Sequence, residues 1–312
     1  MGRGYKEAPW VFEGRALYQL NLVRSSEAKK YVPPDLKLVE FAGWTLGGWF
    51  LAKYDDSPAG QMQEFVALGG LVWNPPTSCA WAARVFVSAK EARDHGVTHV
   101  GLPSRRGTFS LEPSERPDGG PAFLPPLRKR RPAGFVSWWQ AQNQPKVGRL
   151  SRRPAEGMGM HGVLNKPPNA DELREEGIEA DSGVVTIRNA ERGYRGLDAP
   201  VCSIELPAAA PAGQWAPRLK IPLPSFSGNT DAVPGLLRYA CNMLANVRFV
   251  RPCRVHLHEP SQQDAKRDPN EQLHGILAGK PLLCIAFDSM KMSVGQPEVM
   301  RTRRRRLKPA LA

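Results

Sequence analysis

The chain has 312 residues, of which 41% are hydrophobic and 23% charged, and this composition indicates a soluble globular protein with a sizeable core. No apolar stretch approaches the roughly 20 residues that a membrane-spanning helix needs, which excludes a helical integral membrane protein. The formal net charge of +13 is concentrated, because twelve Lys and Arg stand against four acidic residues between Gly101 and Pro168, and six more follow Glu298. The rest of the chain is close to neutral.

The first half of the chain, from Pro9 to about Ser110, has the pattern of a series of strands. Apolar leucines alternate with polar residues over Ala16–Val23, which predicts a half-buried strand. A short helix with a serine cap is predicted at Glu27–Tyr31, and two prolines end it. The remaining predicted elements of this half are strands at Thr45–Ala52, Glu64–Trp73 and Cys79–Val87 and a helix at Ala89–His95.

Residues 110–180 are rich in Pro, Gly, Arg and Ser and show no sustained periodicity. They predict an insertion that is mostly loop, with one short helix at Asp171–Glu176. Strand patterns then resume. They are predicted at Gly183–Asn189, Cys202–Leu206, Leu219–Pro222, Leu237–Asn246, in a run ending at Val255 and at Pro281–Val294, with a polar excursion at Asp264–Leu277. We therefore predict one β-rich α+β domain over residues 1–300, interrupted by the insertion, and a basic tail at 301–312. Composition alone leaves a sandwich and a barrel open.

The basic segments and the cysteine and histidine residues give weaker indications of function. The run Arg128–Arg131 could bind nucleic acid, an anionic membrane surface or an import receptor. No recognised nucleic-acid-binding module accompanies it, so a solvated segment is the plainer interpretation. Five cysteines without CxxC spacing indicate a reducing compartment. His256 and His258 alternate on a strand without a third ligand nearby, so neither a metal nor another cofactor is predicted.

Five separated motifs carry a family resemblance. They are the run Pro9–Leu38, the hairpin Gly47–Trp73, NPPTSCAWAARV (Asn74–Val85), VGLPS (Val100–Ser104) and LPSFSGNT (Leu223–Thr230). In this order they resemble the neoxanthin-deficient family of plants and algae, a branch of the acetoacetate decarboxylase-like proteins. The resemblance implies a closed, cone-shaped β barrel with peripheral helices and a ligand pocket inside.

The resemblance also implies which residues lie in that pocket. Arg15 and Glu64 fall on pocket positions and are the candidate catalytic residues, although they could instead form an ion pair that only orients the strands. Trp49 takes the position of a second pocket carboxylate, which makes the pocket more apolar. Ser104 and Arg105 stand where the decarboxylases have two lysines, and a serine cannot form a Schiff base.

Two further groups of residues are candidates for ligand binding. The resemblance places the turn around Phe226 and Asn229 near the mouth of the barrel, where hydroxyl and amide groups could bind ligand oxygen atoms, or where the turn could be purely structural. Tryptophans such as Trp73 and Trp81 could stack on a polyene or simply pack in the core.

An apolar pocket with few charges suits a long hydrophobic ligand better than a small keto acid. The resemblance implies a factor in neoxanthin biosynthesis that binds a carotenoid (violaxanthin or neoxanthin) or a carotenoid-pathway enzyme, or assists the conversion of violaxanthin to neoxanthin. One alternative is an isomerase that opens the 5,6-epoxide, with Glu64 as base and Arg15 stabilising the alkoxide. Another is a lyase or hydrolase that acts on a different substrate without a Schiff-base lysine.

The location and assembly of the protein are only loosely constrained. The first motif begins by Pro9, so we expect no targeting peptide of the usual 15 to 30 residues. We therefore expect the chain in the cytoplasm or in association with the plastid. The sequence leaves open whether it forms a homo-oligomer.

Overall fold

The structure is a computed structural model, and it describes residues 4–74, 77–113, 183–191, 200–207, 216–223, 225–258 and 273–300. Most of these residues lie in strands. The strands are β1 (Trp10–Arg24), β2 (Trp44–Asp56), β3 (Met62–Asn74), β4 (Thr77–Val87), β5 (Ser104–Pro113), β6 (Gly183–Asn189), β7 (Pro200–Glu205), β8 (Arg218–Pro222), β9 (Ser225–Gly228), β10 (Leu236–Tyr239), β11 (Cys241–Val250), β12 (Val255–Leu257), β13 (Lys280–Val294) and β14 (Glu298–Val299). The helices are α1 (Ser25–Ala28), α2 (Lys90–Thr98) and α3 (His274–Leu277).

Eleven strands form one sheet in the order β12-β7-β6-β5-β4-β3-β2-β1-β13-β11-β8, and β14, β10 and β9 form a second, smaller sheet. Neighbouring strands of the large sheet are antiparallel except β4 and β5, which are parallel and connected through α2. The prediction of a β-rich domain is confirmed, but that of a closed barrel is wrong for the described strands, because β12 and β8 end the sheet as unjoined edges. The edge strands have only three and five residues, which limits the unpaired backbone they expose.

The structure corrects several predicted boundaries. The first strand starts at Trp10 rather than Ala16, and a strand at Ser104–Pro113 was not predicted. The single strand predicted at Leu237–Asn246 is two strands of different sheets, β10 and β11. The predicted insertion beyond residue 113, its short helix and the basic tail lie outside the described residues, so the predicted domain organisation stays a prediction.

The long central strands are buried on both faces. Adjacent residues of a strand point to opposite faces, and the pairing puts Ala16, Ala52 and Glu64 in one row and Leu17, Leu51 and Phe65 in the next. We call the face of the first row the cavity face and the face of the second row the closed face. Each face carries its own cluster of buried apolar side chains.

The closed face is sealed by two of the short helices. Ala28 of α1 and both Ile276 and Leu277 of α3 belong to the same buried cluster as Leu17 and Phe65. Helix α2 lies on the other side of the sheet, where Ala92 joins the cluster of the cavity face. The sheet therefore separates a fully packed layer from a layer that contains an open cavity.

Two polar side chains of β1 are buried, contrary to the half-buried strand predicted over Ala16–Val23. Gln19 and Asn21 are each 1% exposed on the closed face. The Gln19 side chain accepts a hydrogen bond from the Cys253 backbone N–H at 2.6 Å and donates one to the Cys253 carbonyl at 3.2 Å. Gln19 thereby satisfies both backbone groups of a buried residue.

The five cysteines all lie in the described part of the chain, and all are buried free thiols. The longest described helix has nine residues, and none of the described helices is long and apolar enough to cross a membrane.

Pairing of β1 with β2 requires a glycine at position 48, which allows a test of the fold. Gly48 has φ +131°, and a Cβ atom there would lie 2.0 Å from the Gln19 carbonyl oxygen. Gly43 also has a positive φ of +80°, but a Cβ atom there would meet nothing within 4 Å. We expect Gly48→Ala to lower the free energy of unfolding by about 3 kcal/mol or more and the control Gly43→Ala by about 1 kcal/mol, measured by urea denaturation. Equal losses in both variants would contradict the assigned register.

Candidate functional site

A cavity of about 440 Å³ lies on the cavity face of the sheet. Its wall is mostly apolar and is formed by β1 to β5, α2, β8 to β11 and β13. The hydroxyl, thiol, carboxyl and imidazole groups in the described wall belong to Tyr5, Tyr18, Glu64, Ser78, Cys79, His95, Ser104, Ser225, Tyr239 and Cys241. Among the described lining residues there is neither a lysine nor an arginine.

Glu64 is the only carboxyl group among the described lining residues, and β3 aims it into the cavity. The hydroxyl of Tyr54 donates a hydrogen bond to Glu64 Oε2 at 2.6 Å. Burial raises the pKa of the Glu64 carboxyl, and the hydrogen bond from Tyr54 opposes that rise in part. Burial, followed by the charge of Glu64, also raises the pKa of Tyr54 well above its usual value, so Tyr54 remains a donor. The pair is therefore biased towards a neutral carboxyl beside a neutral phenol.

His95 is a second titratable group of the cavity, and the sequence analysis did not assign it a role. Its ring stacks on Tyr5 at 3.9 Å and on His99 at 4.8 Å between centroids, and meets Trp10 edge-on at 4.3 Å. Burial and then the neighbouring His99 lower the pKa of His95 to about 4. Its Nε2 atom is buried and has no hydrogen-bond partner among the described residues. The imidazole is thus held neutral in an aromatic stack.

The structure places Ser104 and Phe226 on the cavity wall. Ser104 begins β5 and is 6% exposed, and a Cβ atom added to Gly96 of α2 would lie only 2.6 Å from its Oγ. Phe226 belongs to β9, the end of which is fixed to the loop before β5. There, the Ser227 hydroxyl donates a hydrogen bond to the Val100 carbonyl, and the Gly228 N–H donates one to the Gly101 carbonyl at 2.9 Å.

Arg105 and Asn229 line a different cavity of about 590 Å³, which is more polar than the first. Asn229 has φ 56°, a left-handed conformation that asparagine tolerates better than most residues. Within this second cavity Arg93 forms an ion pair with Glu191 at 2.6 Å. The two cavities share the lining residues Ala82, Leu102 and Ser104, so they lie side by side.

Arg15 is not brought together with Glu64. Arg15 pairs with Lys53 of β2, whereas its neighbour Ala16 belongs to the row that contains Glu64. Because adjacent side chains of a strand point to opposite faces, Arg15 points to the closed face. Its Nε atom lies 3.9 Å from Asp288 Oδ1, and Asp288 also forms an ion pair with Arg248. The predicted approach of Arg15 and Glu64 across one cavity is not found.

Trp49 and Lys53 also lie on the closed face. Trp49 is fully buried in the cluster there, with its ring centroid 6.5 Å from that of Phe65, so it does not line the cavity. Lys53, which the sequence analysis did not single out, is 3% exposed, and burial lowers its pKa to about 8. Trp49 and Lys53 lie on a strand that lines the cavity, but the register of that strand directs their side chains to its other face.

The two histidines that could have chelated a metal have other partners. His256 Nε2 lies 2.7 Å from Glu205 Oε1, and His258 Nε2 lies 2.9 Å from Ser203 Oγ. In the part of the chain that the structure describes, no group of three His, Cys, Asp or Glu residues could hold a metal ion.

Comparison with known proteins gives relatives over nearly the whole chain, although no family model matches it. Protein NEOXANTHIN-DEFICIENT 1 of Oryza sativa subsp. japonica is 36% identical, with 96% of this chain and 90% of the relative covered. The protein of the same name from Arabidopsis thaliana is 34% identical, with 95% of each chain covered. Acetoacetate decarboxylase of Legionella pneumophila aligns with a TM-score of 0.53 at 11% identity, over 95% of this chain and 89% of that chain. The fold is thus acetoacetate decarboxylase-like.

The neutral state of Glu64 can be tested through the pH dependence of stability. Folding raises the pKa of Glu64 above its ordinary value of 4.5. The protonated carboxyl therefore stabilises the folded state fully below pH 4.5, and this stabilisation is lost as the pH rises through the raised pKa. Glu64→Gln retains an acceptor for the Tyr54 hydroxyl but cannot ionise. We expect its melting temperature to gain on that of the wild type as the pH rises above 4.5. The exposed Glu298→Gln serves as control, and parallel curves for Glu64→Gln and the wild type would contradict the expected pKa shift.

The lowered pKa of His95 has the opposite effect on the pH dependence of stability. The folded state lowers its pKa from 6.5 to about 4, so the unfolded chain binds more protons and stability falls as the pH drops through this window. His95→Phe preserves the aromatic stack and removes the ionisation, so we expect a flatter loss of melting temperature between about pH 6.5 and 4. An NMR titration of the His95 ring should give a midpoint near 4, and a midpoint at or above 6.5 would contradict the burial argument.

Proposed function

Because the chain belongs to the NEOXANTHIN-DEFICIENT 1 family, we propose that it takes part in neoxanthin formation by binding a xanthophyll in the cavity that contains Glu64. The observation that carries this proposal is a mostly apolar cavity whose one described carboxyl group is biased towards its neutral form. The proposal implies that the protein acts where xanthophylls are made, in the plastid or at its envelope.

The size and wall of the cavity support a hydrophobic ligand. Its volume of about 440 Å³ lies within the range of roughly 300–1,000 Å³ usual for small-molecule sites. Trp10, Phe12, Tyr18, Phe50 and Phe226 give it aromatic faces on which a conjugated end of a ligand can pack. An anionic keto acid would instead need a cation, and the described lining provides none.

The polar groups of the cavity match the oxygen atoms of a xanthophyll end group. A neutral Glu64 carboxyl both donates and accepts a hydrogen bond, and Ser104 adds a hydroxyl group on the same wall. A ring hydroxyl or an epoxide oxygen could use either group without leaving a buried charge unpaired. Ser104 also replaces the lysine that Schiff-base chemistry would need, which favours binding over decarboxylation.

A catalytic role is the second candidate, and it is favoured by the presence of two proton-transfer groups, the Glu64 carboxyl and the His95 imidazole, on the wall of one cavity. In the isomerisation of violaxanthin, a proton leaves carbon, the epoxide C–O bond breaks, an allene forms and the oxygen gains a proton. The raised pKa suits Glu64 as the acid, rather than the base of the sequence hypothesis. His95 would then be the base, although burial weakens it by lowering its pKa.

One experiment separates binding from catalysis. Purified protein is titrated with violaxanthin, quenching of tryptophan fluorescence reports binding through Trp10 in the cavity wall, and chromatography reports neoxanthin. Under the binding proposal we expect saturable quenching without product. Glu64→Gln should bind within a few-fold of the wild type because it remains a neutral hydrogen-bonding group, whereas Glu64→Ala should bind about tenfold more weakly.

The other outcomes are equally informative. Formation of neoxanthin by the wild type and its loss in Glu64→Gln, with binding retained, would establish the catalytic candidate. Val66→Asp introduces a charge into the cavity wall and should abolish binding, while Val299→Asp makes the same change at a site that is 72% exposed on β14 and should not. Absence of both quenching and product in the folded wild type would refute the proposed function.

A further inference from the structure

The cavity wall continues into an apolar surface outside the cavity. Tyr18, Phe50 and Ile285 line the cavity and lie side by side in one row across β1, β2 and β13. In the same row, Phe249 of β11 pairs with Ile285 and therefore points to the same face. The row thus passes from the lining of the cavity to a side chain that is 74% exposed.

The next rows towards the ends of these strands are mostly apolar, with the exposed Lys280 of β13 as the charged member opposite Leu22. Leu20 pairs with Leu283, and two residues further along β1 Leu22 pairs with Leu46. We call Leu20, Leu22, Leu46, Leu283 and Phe249 the apolar strip. Because side chains of a strand alternate with a period of two, Leu20 and Leu22 share the face of Tyr18, and Leu46 shares that of Phe50.

The strip is accessible, unlike the reverse side of the same strand ends. Leu46 is 36% exposed, and Leu20, Leu22 and Leu283 are half-buried. On the closed face, Val23 of the same strand is fully buried in one cluster with Ile276 of α3. The sheet is therefore covered on one face at a place where its other face presents five apolar side chains.

We propose that the apolar strip binds the polyene of a xanthophyll whose end group occupies the cavity. This inference rests on the proposed function. A xanthophyll is a rigid conjugated rod with a ring at each end, so it is too long for a compact cavity of about 440 Å³ and must continue outside it. The strip begins at the row Tyr18, Phe50 and Ile285, and it removes an apolar rod from water without requiring any polar partner.

The size of the strip argues against a second copy of the chain as its occupant. A stable protein interface buries about 800 Å² on each partner and some 20 to 30 residues a side. Five side chains, of which three are half-buried, offer much less than that. A narrow rod, in contrast, needs only a line of apolar contacts.

The test compares a long ligand with a short one. Violaxanthin carries two end groups and the polyene, whereas 5,6-epoxy-β-ionone carries one end group alone. The double variant Leu46→Ser with Phe249→Ser alters the two most exposed side chains of the strip, and Val299→Ser, at an exposed site in the other sheet, is the control. We expect the double variant to bind violaxanthin about tenfold more weakly, and the ionone unchanged, by fluorescence quenching with thermal scans to verify folding.

Each other result has a distinct meaning. Equal affinity of the wild type and the double variant for violaxanthin would overturn the role of the strip and leave the cavity proposal intact. Binding of neither ligand by the folded wild type would refute the proposed function itself. If the double variant instead changed the particle mass or the association with phosphatidylcholine vesicles in the absence of xanthophyll, the strip would be a protein or membrane contact and the inference would be wrong.

Discussion

Alternation of side chains along strands that are buried on both faces is the constraint on which this structure depends. In β1, β2 and β3 most buried side chains fit one of two different environments, a packed core or the wall of a cavity. A shift of one residue in the pairing of these strands would exchange the two environments for every side chain. Gly48 and the hydrogen bonds of Gln19 to Cys253 hold this register, and the position of Glu64 follows from it.

The chemistry of the site follows from what the cavity face lacks. Glu64 has no cation beside it in the described lining, since Arg15 and Lys53 lie on the closed face. A buried carboxyl without a cation is more stable when protonated, and Tyr54 supplies a hydrogen bond that partly offsets its burial. The cavity wall therefore combines mostly apolar side chains with hydroxyl and thiol groups and one described carboxyl group whose pKa is raised.

Much of the fold and part of the candidate site could be predicted from the sequence. The rest depends on strand register and on contacts between residues that are far apart in the chain. The strand patterns predicted most of β2, β3, β4, β6 and β13, and three residues that the motifs singled out, Glu64, Ser104 and Phe226, line one cavity in the structure. Arg15 and Trp49 failed because a motif fixes a position along a strand without fixing the face to which it points. His95 was missed because its stack forms with Tyr5, ninety residues earlier in the chain, and Gln19 appeared solvent-facing because its partner Cys253 lies 234 residues away.

Helix α2 packs closely on the start of β5 at Gly96 and Ser104. A Cβ atom at position 96 would lie 2.6 Å from Ser104 Oγ, so a side chain there requires Ser104 to change its rotamer or the helix to move outwards. A larger residue at position 104 would in turn occupy the space beside position 96. The two positions are therefore energetically coupled, and the effects of substitutions at them are not expected to be additive.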